Sequence, residues 1–283
     1  MGKFLVRSHA KINIALNILD KRPDGYHSID SVMVPLELHD SLIVAEHFKS
    51  ENFVTIDNFS LHFSDYNIAT AAIDALIEKC KIDKRFRVII HKVIPIKAGM
   101  GGGSSNAAAV LVGLNKRLKL GLTDEELIQM GVKLGADVPF FIKNVPARCT
   151  GVGEIITPIS IKNDYFVLIV KPSKGLATKA VFEKADELTL TTGNIDDVLD
   201  ALATGDDDKL ANSIHNSLEA AAISLLPEIQ EIKTYLINKG LNIVQMTGSG
   251  SAVFALSRDK ALLRKIEAEL EDKYIVELTK VLK

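Results

Sequence analysis

Cysteine is scarce: Cys80 and Cys149 are the only two in 283 residues. They lie far apart, one in a segment that reads as helix and the other in a strand-like run. Neither a disulfide framework nor a zinc site is expected. An excess of either charge is also missing, since 34 basic side chains face 36 acidic ones. The chain therefore has no global field to gather nucleic acid or an anionic membrane, and any hold on phosphate must be local. No stretch approaches the roughly 20 apolar residues of a membrane span. The first residues carry no long apolar run behind their charges, and Val6 stands where myristoylation at Gly2 requires Ser or Thr. The expectation is a cytoplasmic protein without leader or anchor, bound to neither nucleic acid nor membrane, as a monomer or homodimer. What is present, 47% hydrophobic with 25% charged residues, is enough to bury a core in one large or two moderate domains.

The densest glycine run is Pro95-Ile96-Lys97-Ala98-Gly99-Met100-Gly101-Gly102-Gly103-Ser104-Ser105-Asn106, followed by Ala107-Ala108-Ala109. Its glycines allow positive φ and leave the backbone bare, so that amide N–H groups can converge on an anion. Ser104 and Ser105 then open an expected helix to about residue 118, whose first-turn N–H groups lack helical partners and whose dipole favours negative charge. A flexible loop with a serine cap explains one glycine, not four before two hydroxyls. Neither common nucleotide signature fits. No lysine precedes Ser104, as a P-loop requires, and no acidic residue ends a second strand at the distance a dinucleotide fold needs.

Periodicity gives alternating strands and helices without repeats. Residues 4–18 read as a strand with Ile12, Ile14, Leu16 and Ile18 on one face, and Lys11 beside Asn13 on the other. Further strands are expected at 41–46, 53–57, 86–94 and 165–171, with a strand, loop and strand over 243–256. Helices are expected at 67–80, 226–238 and 260–270. Thr123 and Glu126 form a capping box for another helix that Gly135 ends, which leaves Asp137 just beyond it. Gly248-Ser249-Gly250-Ser251 places small residues between two apolar strands, where backbone can approach a ligand. The stretch 186–215 is acidic and polar and carries no motif. A boundary near Pro158 divides an N-terminal domain, 1–157, from a C-terminal one, 158–283.

Taken singly, several residues have plain structural readings. Asp137 and Asn67 could cap helices, Lys11 could lay its stem on an apolar surface, and Lys92 could be a solvated strand lysine. Tyr26 could pack and His27 could sit in a turn. Together with the loop they resemble the GHMP kinases, whose ATP loop follows Pro-x-x-x-Gly-Leu/Met-Gly-Gly-Ser-Ser. Ala10-Lys11-Ile12-Asn13, Arg22-Pro23-Asp24-Gly25-Tyr26-His27, Gly135-Ala136-Asp137-Val138-Pro139-Phe140-Phe141 and Met246-Thr247-Gly248-Ser249-Gly250 stand in that family's order.

The resemblance implies an α+β, two-lobed GHMP kinase fold with a ribosomal-protein-S5-like α/β lobe and a ferredoxin-like C-terminal lobe, the last strand being free to return to the first lobe. It implies a small-molecule kinase with ATP as co-substrate and Mg2+, whose nucleotide lies on Pro95 through Ser105 with Asn67, Ile68 and Lys92. Ser104 or Ser105 would reach the metal. Asp137 resembles the aspartate that accepts the hydroxyl proton, and Lys11 the lysine that orients the hydroxyl and faces the transferring phosphoryl. Asn13, Tyr26, His27, Thr178, Gly248 and Ser249 fall at the substrate. Arg22 to His27 and Gly135 to Phe141 resemble the branch that phosphorylates the 2-hydroxyl of the methylerythritol unit in a cytidine diphosphate-linked polyol, on the non-mevalonate route to isoprenoid precursors. The alternatives are a kinase of homoserine, mevalonate or phosphomevalonate, and a non-catalytic ligand sensor with this fold. Intact Lys11, Asp137 and Ser104-Ser105 weigh against the sensor. Two positions depart from the family: Lys97, where a small residue is usual, and Asn144-Val145-Pro146 in place of a glycine pair.

Overall fold

The computed structural model describes residues 2–48, 50–57 and 67–283. The chain builds two compact units and passes between them repeatedly. The first comprises Met1–Ala10, Leu38–Ile94 and Gly101–Asn144, the second Lys11–Glu37, Pro95–Met100 and Val145–Lys283. Two long strands, β1 (Phe4–Lys21) and β2 (His27–His47), contribute to both. β2 begins well before the expected residue 41. Residues 31–36 are buried without alternation, and a strand covered on both faces loses the period-two signal.

The first unit adds β3 (Phe53–Asp57), α1 (Ile68–Cys80), β4 (Arg85–His91), α2 (Gly102–Leu118), α3 (Asp124–Leu134) and α4 (Val138–Lys143). Its strands run in the order β3-β4-β2. β4 is antiparallel to β2, from Ser41 opposite His91 to His47 opposite Arg85, and parallel to β3. Alternation along β4 buries Phe86, Val88 and Ile90, while α1 buries Ala72, Ile73 and Leu76 and α2 buries Ala107, Ala108, Leu111 and Leu114. A Cβ at Gly113 would stand 2.8 Å from Val6 Cγ1, so the absent side chain is what lets α2 lie close on β1. Asn67 caps α1 by accepting from the Ala69 amide at 2.8 Å, and the Thr123–Glu126 capping box starts α3. β4 stops at His91 rather than reaching residue 94. The amides of Val93 and Ile94 turn instead to the Asp40 carboxylate, each at 2.8 Å.

The second unit continues with β5 (Ala147–Gly151), β6 (Ile155–Pro158), β7 (Phe166–Lys171), α5 (Thr178–Ala185), α6 (Ile195–Thr204), α7 (Asp207–Ser213), β8 (His215–Asn216), α8 (Glu219–Leu225), α9 (Glu228–Asn238), β9 (Ile243–Met246), β10 (Val253–Ser257), α10 (Lys260–Leu270) and β11 (Ile275–Lys280). Here β2, β1 and β8 lie side by side, β5 pairs antiparallel with β2, and β6 with β5. These pairings bind residues 147–158 to β2. The last crossing of the chain between the units lies between Asn144 and Val145.

The other sheet runs β11-β7-β10-β9 with every pairing antiparallel. Counted within this sheet, that order is fourth, first, third, second, with helices after the first and third strands, which is the ferredoxin-like arrangement. β11 pairs with β7, and just beyond it Val281 bridges Leu36 of β2 while the Leu282 amide donates to the Pro35 carbonyl at 2.8 Å. Leu168, Val170, Ile229, Ile232, Val244, Val253, Leu263 and Ile266 lie in this unit's core. Both cysteines are free thiols. Among the described residues, no helix is long and apolar enough to cross a membrane.

Candidate active site

The glycine run is divided between the units, with 95–100 in the second and 101–105 in the first. In the first unit, α2 begins at Gly102, two residues before the expected Ser104. Gly101 occupies its N-cap in the left-handed region, at φ 68°. Glycine's poor helix propensity concealed this start. The first turn thus consists of Gly102, Gly103, Ser104 and Ser105; the Ser105 amide donates to the Gly101 carbonyl at 2.9 Å, and those of Gly102 to Ser104 stand without helical partners at the positive end of a 17-residue helix. Ser104 is half-buried. Ser105 is buried, and its Oγ accepts from Ser8 Oγ at 2.8 Å. A Cβ at Gly102 would stand 2.8 Å from Lys92 Nζ and 3.2 Å from Ile94 Cγ2. Gly102→Val should therefore weaken ATP binding about 10- to 100-fold while the protein stays folded, as calorimetric titration and thermal melting would record. Unchanged affinity in a folded variant removes this turn from the nucleotide site. Ile68 lines the same turn, since a Cβ at Gly103 or at Gly135 would meet its side chain at 3.8 and 3.2 Å.

In the second unit, residues 95–100 are knitted to the C-terminal glycine loop. Gly99 has φ 75°, and a Cβ there would collide with the Thr247 carbonyl oxygen. A Cβ at Gly248, φ 55°, would lie 2.7 Å from the Gly99 carbonyl oxygen. The amides of Ser251 and Ala252 donate to the carbonyls of Lys97 and Ala98. Asn216 Nδ2 holds the loop from the other side, donating to the Met246 and Gly248 carbonyls at 2.9 Å each. Two glycines in contact through bare backbone thus fix the cradle's first half. Lys97 takes the left-handed region at φ 54°, and its exposed side chain runs past Gly175, where a Cβ would stand 2.5 Å from Lys97 Cβ. Asn144, the other departure, caps α4 at φ 49°, a conformation that asparagine tolerates nearly as glycine does.

Lys11 is 3% exposed and donates from Nζ to Asn13 Oδ1 at 2.5 Å. Asn13 Nδ2 donates to Ser31 Oγ at 2.8 Å, and Ser31 passes its one proton to the Ala15 carbonyl at 2.7 Å. Ser31 can only accept from Asn13, so the amide must turn its oxygen toward Lys11. The Asn13 backbone amide donates to Thr247 Oγ1 at 3.0 Å. In the first unit, half-buried Asp137 sits at the N-cap position of α4 but forms no capping hydrogen bond. The simple capping role does not account for it.

Tyr26 closes a turn built on Gly25 at φ 85° and on Asp24, whose Oδ1 accepts from the Tyr26 amide at 3.1 Å. Its ring is 58% exposed, so it is not core packing. His27 is held from α5: its Nε2 lies 2.8 Å from Asp186 Oδ1 and its ring centroid 5.2 Å from that of Phe182. Lys21 pairs with the other Asp186 oxygen. Hydrogen bonds from Lys21, followed by one from His27, draw the Asp186 carboxyl below its usual range. A carboxylate only accepts, so Nε2 carries the hydrogen. Thr178 Oγ1 and Ser249 Oγ meet at 3.0 Å, bringing two of the expected substrate residues together.

The family models for the GHMP kinases N terminal domain and the GHMP kinases C terminal match residues 67–144 and 198–276. The 4-diphosphocytidyl-2-C-methyl-D-erythritol kinase of Geobacter sp. (strain M21) is 38% identical over 271 residues, covering 96% of this chain and 95% of that protein. This chain belongs to the GHMP kinases. Among solved structures of the family, a 4-(cytidine 5'-diphospho)-2C-methyl-D-erythritol kinase superposes with a TM-score of 0.81 at 28% identity over 100% of both chains. The homoserine kinase of Cytophaga hutchinsonii, with a TM-score of 0.75 at 13% identity over 100% of this chain and 95% of that one, shares the fold alone. No motif announced the residues in contact with these positions in this GHMP kinase: Ser8, Asp40 and Asn106 near the start of α2, Ser31 behind Lys11, Asn216 at the glycine loop, and Phe182 and Asp186 around His27. Each is a single polar or aromatic residue far in sequence from what it holds, so periodicity and spacing carry no trace of it.

Proposed function

We infer that this chain transfers the γ-phosphoryl group of ATP to the 2-hydroxyl of 4-diphosphocytidyl-2-C-methyl-D-erythritol, a step toward isoprenoid precursors. The observation that carries this reading is 38% identity, over 96% of this chain, to a GHMP kinase named for that substrate. Tyr26, His27 and the segment Gly135 to Phe141 stand in the corresponding motifs. Phosphoryl transfer needs little covalent help from the protein and depends on positioning and on charge compensation. The amides of Gly99 to Ser104 take the phosphates, Asn67 and Ile68 border the adenine, and Asp137 accepts the hydroxyl proton. Lys11, aimed by Asn13 and Ser31, steadies the attacking oxygen and the moving phosphoryl. Tyr26 and His27 hold the cytosine, while Thr178, Gly248 and Ser249 complete the substrate side.

Mg2+ supplies counter-charge to the phosphates it accompanies. Half-buried Ser104 offers it a hydroxyl at the start of α2, whereas Ser105 is turned toward Ser8. Both substrates are multiply charged metabolites, and a cytoplasmic enzyme is part of this reading. A coupled ADP-release assay over a panel of alcohols tests the assignment. ADP release should depend on the cytidine-bearing substrate and give a product carrying its new phosphate on the 2-hydroxyl. Turnover with none of the alcohols would revive the sensor reading.

A further inference from the structure

We propose that Asp40 is a positioning residue of the ATP site, its carboxylate holding the Lys92 ammonium against the first turn of α2 so that cation and helix terminus act together on the phosphates. The proposal rests on the reading that the phosphates lie at that turn. Asp40 is fully buried, and both oxygens are engaged. Oδ1 accepts from the Val93 and Ile94 amides at 2.8 Å each, and Oδ2 accepts from Lys92 Nζ at 2.6 Å. The Asn106 amide nitrogen donates to Oδ2 as well, at 3.0 Å, and also to Ser8 Oγ at 2.6 Å and the Gly102 carbonyl at 3.3 Å. Only this orientation of the amide sets a donor toward the carboxylate. One side chain thus ties the end of β4 to the start of α2.

The Lys92 side chain is 7% exposed, and its Nζ lies beside Gly102, where a Cβ would stand 2.8 Å away. Burial lowers the lysine's pKa, and the charge of Asp40 opposes that shift. The positive end of the α2 dipole repels an ammonium placed against it. Asp40 overcomes that repulsion and keeps the cation in place, where an arriving phosphate meets lysine, glycine amides and dipole at once. A buried ion pair that served stability alone would show a different pattern, in which its loss changes the melting temperature and leaves nucleotide affinity intact.

Asp40→Asn preserves an acceptor for the two amides and removes the charge. ATP Kd by calorimetry, and KM and kcat by the coupled assay, should show ATP binding weakened about 10-fold with kcat within about threefold and the KM for the cytidyl substrate unchanged. Because Asp40 acts through Lys92, the double variant Asp40→Asn/Lys92→Met should bind ATP no more weakly than Lys92→Met alone. Additive losses, or normal ATP affinity in Asp40→Asn, overturn the proposal. If the single variant melts early, the double variant, which has no unpaired buried ammonium, keeps the comparison with Lys92→Met available. Gly102→Val separates the two levels of inference. Lost ATP binding there with normal binding in Asp40→Asn rejects the role of Asp40 alone, whereas normal binding in both rejects the phosphate cradle itself.

Discussion

Asp137→Asn is expected to lower turnover about 100- to 10,000-fold while leaving ATP affinity nearly unchanged. Asparagine keeps the size and one oxygen of the aspartate and removes its capacity to take a proton. Asp137 stands at the N-cap position of α4 and makes no side-chain capping bond there, so no cap is lost with the carboxylate. The substitution should therefore leave α4 intact, whereas loss of a working cap would have cost about 1 kcal/mol of stability. A melting temperature matching the parent, with single-turnover phosphoryl transfer slowed by the full factor, would locate the loss in the chemical step. Near-normal turnover would remove Asp137 from the mechanism and leave positioning by Lys11 to account for the rate.

How much of this was legible beforehand depended on whether a residue's role was local in the chain. The capping box at Thr123, the helix over Lys260–Leu270 and the paired strands around the C-terminal glycine loop are short-range facts, and their signals survive in sequence. The glycine run and the helix behind it were legible for the same reason, although that helix starts earlier, at Gly102, because glycine reads as a breaker. β2 was half hidden, since burial on both faces erased alternation between residues 31 and 36. Asp40 was invisible. It stops β4, pairs with Lys92 and meets Asn106, partners spread across more than sixty positions, and a lone aspartate after a histidine looks like a turn. The division into units was obscured similarly, because β1, β2 and residues 95–100 leave and rejoin them in ways a single cut cannot represent.

Selection of the alcohol should be steep, with the cytidine-bearing substrate preferred over free methylerythritol 4-phosphate, homoserine or mevalonate by on the order of 100- to 10,000-fold in kcat/KM. The reasoning starts at His27. Asp186 holds the hydrogen on Nε2 and so fixes the ring's orientation, with Nδ1 as the nitrogen left to meet the edge of the cytosine. Exposed Tyr26 offers a flat face for the base, and stacking adds about 0.5 to 1.5 kcal/mol beyond the area it covers. An alcohol without the base leaves these groups unpaired, at about 1 to 3 kcal/mol for each lost contact. Tyr26→Ala and His27→Ala should each lower kcat/KM for the cytidyl substrate by about 10- to 100-fold without altering ATP Kd, since nucleotide and cytidine are held by different residues. Comparable phosphorylation of mevalonate or homoserine by the purified protein would defeat the assignment and return the chain to the broader class of GHMP kinases. Equal losses of ATP and cytidyl binding in Tyr26→Ala would instead mean that the aromatic turn supports the fold, not the choice of substrate.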